Sequence, residues 1–323
     1  MTDAHLLVRV ARKQTEADGI CSLELVLPSG AALPAFTAGS HIDVQLPGGL
    51  TRQYSLCNNP SQAHRYVIAV LRDPASRGGS EAVHALVKEG DTLHISVPKN
   101  HFPLASDAKR HLLLAGGIGV TPLLAMAEQL SVQGAAFDLH YCARSKSRAA
   151  FIQHMADAPF AAQVHGHWDD SPEQPAFDVM ALLKRPEAGV HVYVCGPKGF
   201  MDAVLSTARA AGWPEAQLHF EFFGAEVVHL ASDAAFTVKI ASTGQEIQVP
   251  ADKTVVQVLQ QAGVDVPIAC EQGVCGTCLT RVLEGIPDHK DMYLTPEEQA
   301  ANDQFTPCCS RSKSPLNFRY LRF

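Results

Sequence analysis

The sequence predicts a multidomain chain: an antiparallel β-barrel, then an α/β domain on a parallel sheet, then a small α+β domain built around cysteines. Three observations predict it. Short strands punctuated by turn residues fill residues 1–100. Strand–helix alternation with two glycine turns occupies residues 101–226. The block 235–323 carries Cys270, Cys275 and Cys278 in the spacing C-x4-C-x2-C, with a distant fourth at Cys308. The 323 residues suit two or three domains, and 46% hydrophobic against 18% charged residues suits folded cores. A net charge of −7 offers no basic face for nucleic acid. No apolar run approaches membrane length, and Met1–His5 lack the basic and apolar parts of a secretory leader. With unpaired thiols this reads as a cytoplasmic protein.

In the first block the expected strands are Leu6–Val10, Cys21–Leu27, His41–Leu46, Gln53–Leu56, Tyr66–Leu71 and Thr92–Val97. Turns such as Pro28-Ser29-Gly30 and Pro47-Gly48-Gly49 separate them, the pattern of a small barrel. Arg52-Gln53-Tyr54-Ser55 falls on a strand, and Arg77-Gly78-Gly79-Ser80 opens a helix. A guanidinium fork and the amides of a helix start both suit a phosphate. Tyr54 is suited to lie against an aromatic ring system, with Ser55 bonding to its edge. Alone, each motif reads equally as a barrel aromatic and a surface charge. Pro98–Pro103 reads as a linker.

The middle block places a buried strand at Leu112–Ala115, a helix from Pro122, strands at Asp138–Cys142 and Val190–Cys195, and a helix near Met201–Ala211. This alternation implies a parallel sheet with helices on both faces. Gly116-Gly117-Ile118-Gly119 leads through Thr121 into Pro122, and Cys195-Gly196-Pro197 follows the later strand. Glycine turns at the carboxyl ends of parallel strands sit where such sheets bind ligands. Neither is G-x-G-x-x-G. After Cys142 the run Ala143–Arg148 holds no carboxylate for a ribose 2′-hydroxyl, while Arg144 and Arg148 suit a 2′-phosphate or an exposed basic loop. His165-x-His167 lacks a ligand set for a metal. Glu221 is a minor candidate for a polar role.

The last block opens with a hairpin, Phe236–Ile240 and Glu246–Val249 around Thr243-Gly244, then a helix at Val255–Ala262. The cysteine spacing is that of a plant-type [2Fe–2S] centre, in which four thiolates hold two irons. Gly273 and Gly276 let the loop curl around such a centre. A structural zinc site would show paired C-x2-C motifs instead. The interval favours Cys308 over Cys309 as fourth ligand. Neighbours on an extended strand point to opposite faces, which makes Cys309 a packed thiol. The acidic run Glu284–Asp303 reads as a solvated helix and loop, or as a face for a basic partner.

These motifs, in this order, resemble the phthalate dioxygenase reductase family over essentially the whole chain, its vanillate O-demethylase reductases in particular. The resemblance implies an FMN-binding barrel, a ferredoxin-reductase-type NAD domain and a plant-type ferredoxin domain. By position it gives FMN to Arg52, Tyr54, Ser55 and the turn Arg77, Gly78, Gly79, Ser80. Gly116, Gly117, Gly119, Thr121 and Pro122 meet the cofactors where the two domains face each other. Cys195, Gly196 and Pro197 lie near the nicotinamide, and Phe223, or else Phe222, near the flavin. Ser55, Thr121 and Cys195 are implied to position the hydride transfer. The implied reaction carries electrons from NADH through FMN and [2Fe–2S] to a Rieske-type oxygenase that hydroxylates or demethylates an aromatic acid, with the reductase a monomer. The rival readings are an FAD-dependent monooxygenase reductase and a non-catalytic iron–sulfur carrier. One departure stands out. The family ends in an apolar strand closed by an acidic residue and leucine, whereas Arg319-Tyr320-Leu321-Arg322-Phe323 speaks against a final strand of that kind.

Overall fold

The computed structural model describes residues 5–74, 78–171, 177–223, 233–264 and 266–320, with the side chains of 319 and 320 excepted. Arg77 and residues 321–323 therefore lie outside the described residues. The chain divides into two compact units, residues 3–223 and 224–323.

The first unit begins with seven antiparallel strands: β1 (His5–Ala17), β2 (Ile20–Val26), β3 (Ser40–Gln45), β4 (Thr51–Ser55), β5 (Tyr66–Leu71), β6 (Thr92–Ser96) and β7 (Lys99–Asn100). Their order is β4-β3-β6-β1-β2-β5, and a bridge from Leu56 to Ile68 joins the two ends into a closed barrel. Alternation drives the closure. Val8 and Val10 on β1, Leu23 and Leu25 on β2, and Ile42 and Val44 on β3 all point into one buried core. Strand β1 runs seven residues past the expected Val10, because pairing with β2 carries the polar stretch Arg12–Glu16 through two register shifts. Pro98–Pro103 is not a bare linker either: Lys99 and Asn100 pair with His41 and Ser40. The short helix α1 (Gly79–Ala85) starts from Gly78 at φ 88°. Its last turn is tied down by Lys13, whose Nζ donates to the carbonyls of Val83, His84 and Val87 at 2.8, 2.8 and 2.7 Å.

Next come β8 (Arg110–Gly116), α2 (Val120–Gln133), β9 (Ala136–Ala143), α3 (Ile152–Asp157), β10 (Val164–Trp168), α4 (Val179–Leu182), β11 (Val190–Cys195), α5 (Lys198–Ala210) and β12 (Leu218–Glu221). The five strands are parallel in the order β10-β9-β8-β11-β12. Helix α2 packs on one face with Leu113 and Tyr141, and α5 on the other with Leu112 and Val192. Chain order therefore reverses between β8 and β11. The cleft above their carboxyl ends is the topological switch point.

The second unit contains β13 (Phe236–Ile240), β14 (Glu246–Val249), α6 (Val255–Gln261), β15 (Thr280–Glu284), β16 (Pro287–Asp288), α7 (Pro296–Ala301), β17 (Gln304–Phe305), β18 (Arg311–Ser312) and β19 (Leu316–Tyr320). Its main sheet runs β14-β13-β19-β15-β17. The last strand does form, parallel to β13 and antiparallel to β15, contrary to the reading of the basic tail. Leu316 and Phe318 are buried in the core, and that alternation is enough to anchor it. Arg311 is bolted inside, donating to the carbonyls of Lys253, Ala234 and Pro250 and lying 5.1 Å from the ring centre of Phe236.

Candidate functional site

At the switch point two turns interlock. A Cβ on Gly119 would overlap the Cys195 carbonyl, and one on Gly196 would come 2.9 Å from the Gly116 Cα. One on Gly116 would reach 2.8 Å from the Phe200 ring. Gly119 and Gly196 are glycine because two backbones touch there, and Gly116 because the Phe200 ring and the Pro197 side chain crowd it. Gly117, with open space around it, faces outward. Helix α2 starts at Val120, two residues before Pro122, after a 3₁₀ turn at Gly117–Gly119. Thr121 is buried and its hydroxyl donates to the Ile118 carbonyl at 3.0 Å, so it braces the turn itself. Pro197 is the N-cap residue of α5.

The barrel meets this cleft through Ser55 at the end of β4. Its Oγ donates to Glu221 Oε2 at 3.2 Å, at the end of β12. Burial pushes the Glu221 carboxyl up from its ordinary 4.5 to about 7, with the Ser55 bond opposing the rise. The Cys195 thiol is wholly buried and held well above its ordinary range, first by burial and then by the Glu221 charge. Three strands thus bring a hydroxyl, a proton-holding carboxyl and a neutral thiol together. Sequence reading ranked Glu221 low. Its only signal was one acid inside the aromatic run Phe220–Phe223. Phe222 packs into the core under α5, whereas Phe223 is 40% exposed, which favours Phe223 as the aromatic available to a ligand.

Around the barrel, the Arg52 side chain lies over the first turn of α1. A Cβ on Gly79 would sit 2.7 Å from Arg52 Cγ and 2.8 Å from Nε. The guanidinium also donates to the Thr51 carbonyl at 2.8 Å. Ser80 Oγ accepts from the Asp73 amide at 3.1 Å, fixing the loop before the helix. Tyr54 packs against the barrel core.

A carboxylate stands one strand further on. Asp169 follows β10, and its amide donates to the Ala143 carbonyl at 3.1 Å, at the tip of β9. Its charge also helps burial to raise the Cys142 thiol to about 12. Arg144 and Arg148 are exposed. The adjacent imidazoles use one another: His140 Nδ1 and His167 Nε2 are 3.0 Å apart, and His165 bonds to Asp138.

In the second unit Cys270, Cys275, Cys278 and Cys308 are all buried. Cys270 reaches the side chains of Cys275 and Cys308, and Cys308 reaches Cys278. Hydrogen bonds from Cys275, Cys308 and the amides of Gln272 and Val274 hold the Cys270 thiol far below its ordinary range. The loop can close so tightly because Gly273 and Gly276 have φ of 71° and 70°. A Cβ on Gly276 would overlap the Tyr293 ring. Four buried sulfurs gathered by one loop and the 306–310 turn are the donor set a [2Fe–2S] cluster requires. Cys308 and Cys309 do not lie on an extended strand. The Cys309 and Ser310 amides both donate to the Thr306 carbonyl, at 3.2 and 3.0 Å, making a helical turn. Within the acidic run Asp291 is buried, and Glu298 caps α7 through Thr295.

Residues 238–313 match the 2Fe-2S iron-sulfur cluster binding domain family. Residues 97–218 match the N-terminal domain of dimethylamine monooxygenase subunit DmmA-like proteins. Vanillate O-demethylase oxidoreductase of Pseudomonas putida is 56% identical over 308 residues, covering 95% of this chain and 97% of its own. Phthalate dioxygenase reductase of Burkholderia cepacia is 40% identical over 313 residues, with 97% and 96% covered. A solved phthalate dioxygenase reductase, described as a modular structure for electron transfer from pyridine nucleotides to [2Fe–2S], superposes with a TM-score of 0.78 at 39% identity, covering 98% of both chains.

Proposed function

This chain belongs to the phthalate dioxygenase reductase family, and we propose that it is the reductase component of a Rieske-type oxygenase or O-demethylase acting on an aromatic acid. Held by the barrel, FMN would supply two-electron acceptance from NADH and one-electron release, and a [2Fe–2S] centre held by the second unit would supply the single-electron relay to the oxygenase. Arg52 with Gly78, Gly79 and Ser80 would hold the flavin phosphate, joined by Arg77 on the strength of the sequence motif, and Tyr54 and Ser55 would bind the flavin ring system. The gap that a Cβ at Gly79 would fill, occupied by the Arg52 stem, supports this cradle. Gly116, Gly117, Gly119 and Pro122, braced by Thr121, shape the cofactor turn. Cys195, Gly196 and Pro197 would bind the nicotinamide half, and the exposed Phe223 would be the aromatic available to the flavin.

Hydride transfer needs no general base, so the protein's task is positioning and exclusion of charge. Glu221, largely neutral below pH 7, holds a proton at the carboxyl that Ser55 touches. We assign the ribose hydroxyls to Asp169, beside the tip of β9, whose charge would repel a 2′-phosphate and so favour NADH over NADPH. Asp169→Ala should narrow that preference, read as the ratio of flavin reduction rates with the two nucleotides. Cys270, Cys275, Cys278 and Cys308 hold the cluster. The protein acts as a cytoplasmic monomer. Among the described residues no helix is long and apolar enough to cross a membrane.

The observation that carries the reading is the Ser55–Glu221 bond, which joins the barrel's ligand strand to the sheet's switch point. Cys275→Ser tests the order of transfer. It should keep NADH-driven flavin reduction at the wild-type rate and lose delivery to the oxygenase. Undiminished delivery by that variant would show that electrons bypass the cluster.

A further inference from the structure

Cys309 is more than packing. Its sulfur lies within reach of the Cys308 side chain, and a Cβ on Gly273, in the middle of the ligand loop, would overlap it. In a helical turn successive side chains fan by roughly 100°, so both thiols can face the same loop.

The hydroxyl network around Cys309 has a fixed direction. Asp291 Oδ1 is an acceptor, and it receives Ser310 Oγ at 3.1 Å. Asp291 Oδ2 receives the Leu294 amide at 2.9 Å. Ser310 Oγ also receives the Lys290 amide at 3.2 Å, so its own hydrogen goes to Asp291. Thr306 Oγ1, 3.0 Å from Ser310 Oγ, must then donate to it. That leaves the Thr306 oxygen as acceptor for the Cys309 S–H, 3.3 Å away. The other acceptors near this thiol, the Thr306 carbonyl at 3.9 Å and Ser310 Oγ at 3.8 Å, belong to the same turn. The Cys309 hydrogen therefore points into the network, and the sulfur lone pairs are left toward Cys308 and the ligand loop.

We propose that Cys309 is a reserve ligand of the iron–sulfur centre, taking the fourth position when Cys308 is lost. The inference rests on the cluster reading above. It needs only a rotation within the 306–310 turn, which the bonds of the Cys309 and Ser310 amides to the Thr306 carbonyl already define. Cys270, Cys275 and Cys278 have no adjacent cysteine and so no such substitute.

The test uses the full chain, purified without oxygen, with iron, acid-labile sulfide and the electron paramagnetic resonance spectrum of the reduced protein as readouts. Far-ultraviolet circular dichroism of the full chain checks that each variant is folded, since flavin reduction by residues 3–223 does not report on the unit that carries the substitutions. Cys308→Ala should keep roughly half or more of the wild-type iron, with shifted g values, because a thiolate still completes the set. Cys308→Ala/Cys309→Ala and Cys278→Ala should each fall to background. Wild-type protein without iron would end the cluster reading itself. Iron in the wild type but none in Cys308→Ala would overturn this inference alone, as would equal iron in the single and double variants. If Cys308→Ala does not accumulate, Cys308→Ser and Cys308→Ser/Cys309→Ala replace it. Identical spectra from that pair would show that serine binds the iron and Cys309 does not.

Discussion

At the scale of single residues, Glu221 shows what a sequence conceals. The cysteine ligands are legible because thiolate chemistry needs fixed spacing along one loop. Glu221 works through neighbours contributed by β4 and β11, and nothing local marks it. Its titration gives a direct test. The carboxyl binds its proton more tightly folded than unfolded, so this group's contribution to stability is full below about pH 4.5 and is lost as pH rises toward 7. Glu221→Gln cannot titrate. Its thermal midpoint should therefore fall less between pH 5 and pH 7.5 than that of the wild type, measured on the first unit's transition. Parallel curves for the two proteins would place the raised carboxyl elsewhere. The same substitution keeps a hydrogen-bonding partner for Ser55, so flavin content should be unchanged.

Elements were legible where one face is strictly apolar, as in β8 and β11, and illegible at the edges of the parallel sheet. Strands β10 and β12 carry His165, Gly166, His167, His219 and Glu221, only partly buried, with no apolar run to announce them. Missing β10 is also why Asp169 went unseen, since its position is set by parallel pairing with β9. Helix α1 makes the opposite point. It is only seven residues long, too short to stand alone, and depends on tertiary anchors. Lys13→Met removes three charge-assisted bonds to its final carbonyls and should cost about 1–3 kcal/mol. Because α1 carries the Gly78–Ser80 turn, the FMN dissociation constant should rise with it. Gly79→Ala separates cradle from helix. The new methyl must displace Arg52, so flavin binding should weaken several-fold while the thermal midpoint of apoprotein barely moves. A large loss of apoprotein stability would mean that Gly79 serves the helix and not the cradle.

The two units share no core. The second is built on Phe236, Val238, Leu259, Phe305 and Phe318, and none of the clusters of residues 3–223 includes any of these. Each core carries the residues assigned to its own cofactor, so damage to one should leave the other's cofactor bound. Arg311 is the sharpest place to cut. It is 4% exposed and satisfies three carbonyls, from Ala234, Pro250 and Lys253, that gather the start of β13, the end of β14 and the entry to α6. Arg311→Ala leaves those carbonyls without their donor at about 1–3 kcal/mol each, less where water enters the space. For a unit of this size each kcal/mol lowers the midpoint by roughly 4–8 °C. Cluster absorbance in Arg311→Ala should thus bleach at least ~10 °C below the wild type on heating. Flavin release and NADH-driven flavin reduction should keep their wild-type temperature profile. If both signals instead moved down together, the units would be melting as one body, and the independence of their cores would not extend to their stability.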